Sequence, residues 1–349
     1  MKRIWIAALV VIALASGCAT SGTVDMASPD GRIVVAFNLL EGGQPVYSVT
    51  YRDTAVITEG KLGLIRSDAG FSSGLRLNSV TGPEEVKENY TLLHGKKRDA
   101  SYHAFRYTVH LSGASGEAMD IIFQVSDEGL AFCYKFPGVS EEIKYITAEK
   151  SSFGFAEGAL AWIQPRAKAK TGWNQSNPSY EENYLMEVPL ANVAADTNGW
   201  VFPALYRSGG CWVNLTESWP DWNYCGSHLA KGEGANEMMI AFPEPTEGYT
   251  GGSVFPESKL PWQTPWRIVT MGSTPGAIAE STHGTDLALP PAEGEFSYAK
   301  PGRAAWSWAL MKDGSVNYEE QKRFIAYAAE MGWEDRKSTR LNSSHVSES

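Results

Sequence analysis

The chain has 349 residues and is poor in charge, above all in positive charge. Charged residues make up 20%, with 30 Lys and Arg against 40 Asp and Glu, a formal net charge of -10. A nucleic-acid-binding protein needs a basic face to offset phosphate repulsion, so this balance argues against that class. Cysteine is scarce. Only Cys18, Cys133, Cys211 and Cys225 occur, with no C-x-x-C pair and no His-rich spacing of the kind that holds zinc. Such a count rules out a dense disulfide framework. One bridge stays open, and Cys211 with Cys225, which flank an expected hairpin, are the best-placed pair. No apolar run reaches the roughly 20 residues that cross a bilayer as a helix. There is no G-x-x-x-x-G-K-[ST] phosphate loop, and the six histidines form no spaced ligand pair or triad. What is abundant is aromatic: 12 Trp, 15 Tyr and 13 Phe, which exclude a disordered chain.

The two ends do not read as fold. Met1-Lys2-Arg3 and the apolar run Ile4 to Ala15 form a basic segment followed by a hydrophobic one, as in a secretory signal peptide. The run ends Leu14-Ala15-Ser16-Gly17-Cys18, similar to a bacterial lipobox. The expectation is cleavage before Cys18, lipid on its thiol, and a short tether to residue 22. That places the protein in a bacterial cell envelope, as a periplasmic or outer-membrane lipoprotein that meets the membrane through its anchor alone. Ala19 rather than Asp after the Cys favours the outer membrane. Residues 336–349 have no apolar periodicity and five Ser. They resemble translated adapter sequence and are set apart from the fold.

Between the ends the chain alternates strand and turn. Residues 31–39 open with an apolar run after the turn Ser28-Pro29-Asp30-Gly31. Tyr47, Val49 and Tyr51 alternate with polar residues, the period-2 mark of a half-buried strand. Phe105, Tyr107, Val109 and Leu111 share one strand face, and Met119, Ile121, Phe123 and Val125 another. After the turn Asp127-Glu128-Gly129, Leu130, Phe132, Tyr134 and Phe136 face inward on the return. Many strands with Gly, Pro and Asp punctuation predict one large antiparallel β-sandwich over residues 23–275.

The character then changes. A short helix at Pro275 to Ser281 and a Pro- and Gly-rich crossing predict a linker over 276–303. Ala304 to Leu310 reads as a buried strand. Asn317 caps a helix with Glu320 three residues on, and Gln321, Phe324, Ile325, Ala328 and Met331 follow at helical spacing up to Gly332. Strand, loop and helix are half of a βαβ unit, which cannot bury its own apolar face. The expectation is that 304–335 begins a second, α/β domain.

Half of the tryptophans (Trp162, Trp173, Trp200, Trp212, Trp219 and Trp222) fall in one stretch, with Tyr180, Tyr184, Tyr206 and Tyr224 among them. Flat rings suit stacking on sugar C–H faces, and they equally suit a sandwich core. Glu217 ends the strand Trp212 to Ser218 as a lone carboxylate beside aromatics. It could serve as one oxygen ligand of Ca²⁺, which takes six to eight, or sit as a solvated rim group. Trp306 and Trp308 flank Ser307, and strand alternation would put both rings on one face.

In order, the segments Ser28 to Gly31 with Tyr47-Ser48-Val49, Leu62-Gly63-Leu64, Asp127 to Phe132, Ala161-Trp162, Trp212 to Glu217, Pro265-Trp266-Arg267 and Trp306-Ser307-Trp308 resemble glycoside hydrolase family 97. The resemblance implies a mainly β fold: a large, galactose-mutarotase-like antiparallel supersandwich followed by the first β/α unit of a (β/α)₈ barrel. It implies an exported, calcium-dependent α-glycosidase acting on α-linked oligosaccharides, glucosides or galactosides. In it Glu217 would be the sandwich's calcium ligand, and Trp306 and Trp308 would be substrate contacts on the first barrel strand. The catalytic carboxylates would lie in later barrel strands, outside this chain, so the chain alone would bind carbohydrate without hydrolysing it. Two positions depart from the family pattern. Cys133 stands where members often carry Arg, which would remove a buried ion pair, and the loop Ser218 to Trp222 is unusual. The alternative is a lipid-anchored, carbohydrate-binding or mutarotase-like sandwich without hydrolase activity. The β/α element from Ala304 to Gly332 favours the glycosidase.

Overall fold

The computed structural model describes residues 23–166, 183–195, 198–248, 252–298 and 300–337. Its strands in chain order are β1 (Val24–Ala27), β2 (Ile33–Leu39), β3 (Pro45–Tyr51), β4 (Thr54–Lys61), β5 (Leu64–Arg66), β6 (Ala69–Gly70), β7 (Arg76–Thr91), β8 (Asp99–Ser112), β9 (Ala118–Ser126) and β10 (Gly129–Glu149). Then come β11 (Ser152–Phe155), β12 (Leu160–Ile163), β13 (Leu185–Pro189), β14 (Ala204–Ser208), β15 (Cys211–Ser218), β16 (His228–Lys231), β17 (Glu237–Ala241), β18 (Glu257–Gln263) and β19 (Trp266–Gly272). A seven-stranded sheet runs β1-β2-β3-β4-β11-β17-β16. A twelve-stranded sheet runs β13-β12-β14-β15-β19-β10-β9-β8-β7, with β18 and β5 on the second half of β10. Every pairing in both is antiparallel, so the predicted large β-sandwich is what forms.

The core follows the alternation. Ile33, Val35 and Phe37 on β2 meet Phe123 on β9 and Phe132 on β10 across the gap between the sheets. Ring centroids lie 6.2 Å apart for Phe37–Phe123, 6.0 Å for Phe123–Phe132 and 5.5 Å for Tyr47–Phe132, the tilted and edge contacts aromatic quadrupoles favour. The turn at Asp127-Glu128 joins β9 to β10, with Ser126 opposite Gly129, as the sequence predicts. On β8 Phe105, Tyr107, Val109 and Leu111 share one face as expected, with Tyr107 packed against the core, but the first half of the strand also buries the opposite face. Val109 and Leu111 enter the core, but in the first half Ala100, Tyr102 and Ala104 are the buried residues. The reason is a cover on the outer face. Helices α1 (Pro275–Glu280) and α2 (His283–Asp286) lie against β15 and β19, and the His283 ring sits 6.3 Å from that of Tyr102. Tyr90 donates to Asp286 at 2.6 Å, and Leu287 joins an outer apolar cluster with Ala131, Cys133, Trp266 and Ile268. The start of the stretch read as a linker therefore packs on the sandwich.

Close backbone approach fixes a glycine where β11 crosses β4. A Cβ on Gly154 would collide with the Glu59 carbonyl. Gly154→Ala is expected to cost about 1–3 kcal/mol, as overpacking does, read as a lowered thermal midpoint. An unchanged midpoint would show that β4 can give way.

The C-terminal part differs from its expected form. Strand β20 is short (Ala304–Trp306), and the chain turns at once into α3 (Ser307–Met311). Of the expected buried strand Ala304 to Leu310, only Ala305 and Ser307 are buried. Ser307 is held by Ser315, whose hydroxyl donates to it at 3.1 Å, and by Gln321 at 2.8 Å, which pins the turn. Helix α4 (Tyr318–Glu330) has the predicted cap, Asn317 accepting from the Glu320 amide at 3.0 Å. The β21 strand (Asp335–Lys337) then pairs in parallel with β20. The half unit is thus completed as β-α-β, and Arg336 and Lys337, set apart with the tail, lie in its second strand.

Candidate functional site

The first turn of the site is the crossover between sheets. β10 is long enough to leave the large sheet's centre and end at Glu149, from which Ser151 leads into β11 of the other sheet. β15 and β19 run antiparallel with Glu217 opposite Arg267. On both strands the odd-numbered residues face inward: Val213 and Leu215 on one, Val269 and Met271 on the other. Glu217 and Arg267 share that parity, so they point between the sheets at the end of the sandwich, where Glu149 lies.

Arg267 is one of the largest fully buried side chains, its side chain 1% exposed. Its Nε and Nη2 donate side-on to the two oxygens of Glu149 at 2.9 and 2.6 Å. Its Nη1 donates to Ser227 Oγ at 2.8 Å and to Glu217 Oε2. Glu149, also 1% exposed, accepts two further bonds, from Ser151 at 2.7 Å and Tyr224 at 2.9 Å. Because Ser151 spends its proton on Glu149, Tyr134 is the donor in the 2.7 Å bond between their hydroxyls, and Tyr134 in turn accepts from the Gly63 amide at 2.7 Å. Burial works against the charge on Arg267, but Glu149 and Glu217 outweigh it and hold the guanidinium well above its ordinary range. Burial, seconded by Glu149, pushes the Tyr224 phenol up, so it stays a proton donor.

Glu217 is the outermost member, its side chain 16% exposed. Its Oε2 takes both donors, Arg267 and Ser227, the latter at 2.6 Å. Among the described residues its Oε1 takes none. Tyr224 also lines a cleft of about 460 Å³ with Trp222, Cys225, Glu247, Phe255 and Glu257, and Trp222 stands 85% exposed at it.

The other sequence candidates lie elsewhere. Trp306 ends β20, 40% exposed, and Trp308 sits in α3. Their rings stack on each other at 6.1 Å and 21°, with the Lys312 ammonium 4.5 Å from the Trp308 centroid. The same-face argument from a continuous strand does not hold, because the strand stops at Trp306. Cys18, Trp173 and Tyr180 lie outside the described residues. Of the aromatic stretch, Trp200 and Tyr206 are core, whereas Trp162 and Trp212 pack with ring centroids 4.9 Å apart and planes tilted by 42° on the outer face. The Cys211–Cys225 bridge is not formed; both thiols, like Cys133, are free. Cys211 opens β15 and Cys225 lies near Glu217 and Arg267 at that strand's other end. Six strand residues at ~3.3 Å each separate them, far beyond the ~7 Å a disulfide allows. Cys133 sits in the outer apolar cluster, where burial pushes its thiol up.

The sequence pattern presents Arg267 only as part of a motif and gives no sign of Glu149 or Ser227. One signal for Arg267 is there to be read: it is the one Arg in Trp266 to Gly272, a strand otherwise without charge and buried throughout.

Residues 26–290 match the family profile described as Glycosyl-hydrolase 97 N-terminal. The chain is 28% identical over 281 residues to a "Probable retaining alpha-galactosidase" of Streptomyces bingchenggensis, covering 80% of this chain and 40% of that one. It is 23% identical over 346 residues to a retaining α-galactosidase of Bacteroides thetaiotaomicron, covering 88% and 48%. The crystal structure of a β-arabinopyranosidase superposes with a TM-score of 0.82 at 32% identity, over 90% of this chain and 50% of that one. A family 97 enzyme from Pseudoalteromonas sp. strain K8, solved with panose, superposes at 0.71 and 21% identity, over 90% and 46%. The chain thus spans about half the length, or less, of these relatives.

Proposed function

Since the chain belongs to glycoside hydrolase family 97 and carries its N-terminal domain, we propose that it is the sandwich part of an exported, calcium-dependent α-glycosidase. The observation that carries the calcium reading is Glu217: a carboxylate at a strand end, fixed through Oε2, with Oε1 accepting no bond among the described residues. It fits a hard cation as one oxygen ligand of the six to eight that Ca²⁺ takes. No group of three or more His, Cys, Asp or Glu that could hold a metal occurs among the described residues, so in this reading the other ligands and both catalytic carboxylates come from the barrel. A bound Ca²⁺ would polarise the site and stabilise charge developing on the substrate. The chain's own part is to hold Glu217 in place.

The substrate is proposed to be an α-linked oligosaccharide with a galacto-configured ring. An α-D-galactopyranoside and a β-L-arabinopyranoside share their ring configuration and differ by one hydroxymethyl group, and the relatives at 28% and 32% identity carry those two names. Trp306, Trp308 and the cleft at Trp222 offer flat faces for such a sugar. The first 22 residues would export the protein and anchor it through Cys18.

The test is made on the full-length protein. Chelating calcium is expected to abolish hydrolysis of an aryl α-galactoside, and Glu217→Gln to lower it by at least about 10–100-fold, the loss typical even of outer-shell partners. Full activity in Glu217→Gln would remove this residue from the site.

A further inference from the structure

A metal ligand needs a fixed orientation and a favourable local charge, and the buried cluster provides both for Glu217. Arg267 alone would spoil the second. A guanidinium bonded to Glu217 makes a neutral pair, which has no net pull on a cation. Glu149 changes that sum. With two carboxylates on one guanidinium, the triad keeps one negative charge, and Glu217 is its outermost, least buried member. Glu149 has all its acceptor positions filled by Arg267, Ser151 and Tyr224, so the remaining charge has its outlet at Glu217.

We propose that Arg267 and Glu149, with Ser227, are positioning residues for a metal-binding Glu217; the inference rests on the calcium reading above. The Glu149 fork fixes the guanidinium plane. The fixed Nη1 and the Ser227 hydroxyl, which accepts from Nη1 and donates onward, both hold Oε2. Two donors on one oxygen set the carboxylate plane and leave Oε1 as the oxygen for the cation. A ligand already confined to one rotamer loses little side-chain entropy on binding. Coordinating carboxylates are commonly held in this way, and loss of such partners typically weakens metal affinity 10–100-fold.

Calcium titration calorimetry on the full-length protein, stripped with chelator, tests this with four proteins: wild type, Glu217→Gln, Ser227→Ala and the double variant Glu149→Gln/Arg267→Met. The double variant removes the two fully buried charges together and leaves only Glu217, the most exposed of the three, still bonded to Ser227. Ser227→Ala touches no charge at all. The expected result is strong weakening in Glu217→Gln and about 10–100-fold weaker Kd in the double variant. Ser227→Ala should fall at the lower end of that range, with its thermal midpoint near that of wild type. A merely structural role would move the midpoint and leave Kd alone. If Glu217→Gln loses calcium while Ser227→Ala and the double variant bind it like wild type, positioning is overturned and Glu217 stands. If wild type binds no calcium, or Glu217→Gln binds it unchanged, the calcium reading falls and positioning with it.

Discussion

Arg267→Met alone is expected to lower the free energy of unfolding by about 3–5 kcal/mol, and Glu149→Gln/Arg267→Met by much less. The reason is the asymmetry of buried charge. In the single variant Glu149, 1% exposed, keeps its hydrogen bonds from Ser151 and Tyr224 but loses the one cation bonded to it among the described residues. An ion stranded in a low-dielectric interior costs far more than the intact pair gains, because the pair's attraction is largely offset by the desolvation of both members. Changing Glu149 to Gln at the same time removes the ion; the one amide oxygen accepts from one of the two hydroxyls, Ser151 or Tyr224, and the amide NH2 can donate to the other. Urea unfolding of the two single variants and the double variant closes a thermodynamic cycle with a coupling of several kcal/mol. Additive losses would mean that the pair is solvated or loosely held, contrary to the fork geometry.

The sandwich is legible in the sequence because its pattern is local. Period-2 alternation in Tyr47 to Tyr51 and Met119 to Val125 needs no knowledge of the partner strand. Where the pattern misleads, the cause is tertiary. The first half of β8 buries its outer face, where His283 of α2 lies beside Tyr102, and nothing in Ala100 to Leu111 announces a cover supplied from residue 283. Likewise Ala304 to Leu310 has the composition of a strand, but a Ser307–Gln321 bond across 14 residues bends it into a helix. The site divides the same way. Glu217 stands out as a carboxylate among aromatics. Its partners are hidden, since Glu149 and Ser227 lie 68 residues before it and 10 after it, and only the register of β15 on β19 and the crossover after β10 bring them together.

Acid is expected to loosen the outer cover of the sandwich before it breaks the ion pairs. Burial lowers His283 from its ordinary 6.5 to about 4. Its Nδ1 bonds Thr270 Oγ1 at 3.2 Å, its Nε2 has no partner among the described residues, and the Tyr102 ring lies beside it. Burial lowers His228 to about 4 as well, with Arg166 adding to the effect. The sign follows from proton counts. Between pH 6.5 and 4 the unfolded chain binds protons on these imidazoles and the folded chain does not, so stability falls as pH falls through that window and is level above it. At about 1.4 kcal/mol for each tenfold change in proton affinity, His283 contributes at most about 3 kcal/mol, and the less enclosed His228 less. Asp286, raised by burial, acts in the opposite sense and offsets part of the loss. Carboxylates held below their ordinary range, Asp68 and Glu237 among them, lose their contribution only at lower pH. Urea midpoints at pH 7, 5.5 and 4 should therefore descend in wild type, while His283→Leu flattens the slope. A wild-type profile that stays level down to pH 4, or an unchanged slope in His283→Leu, would mean that the imidazole takes up its proton inside the fold and that the cover over β8 tolerates the charge.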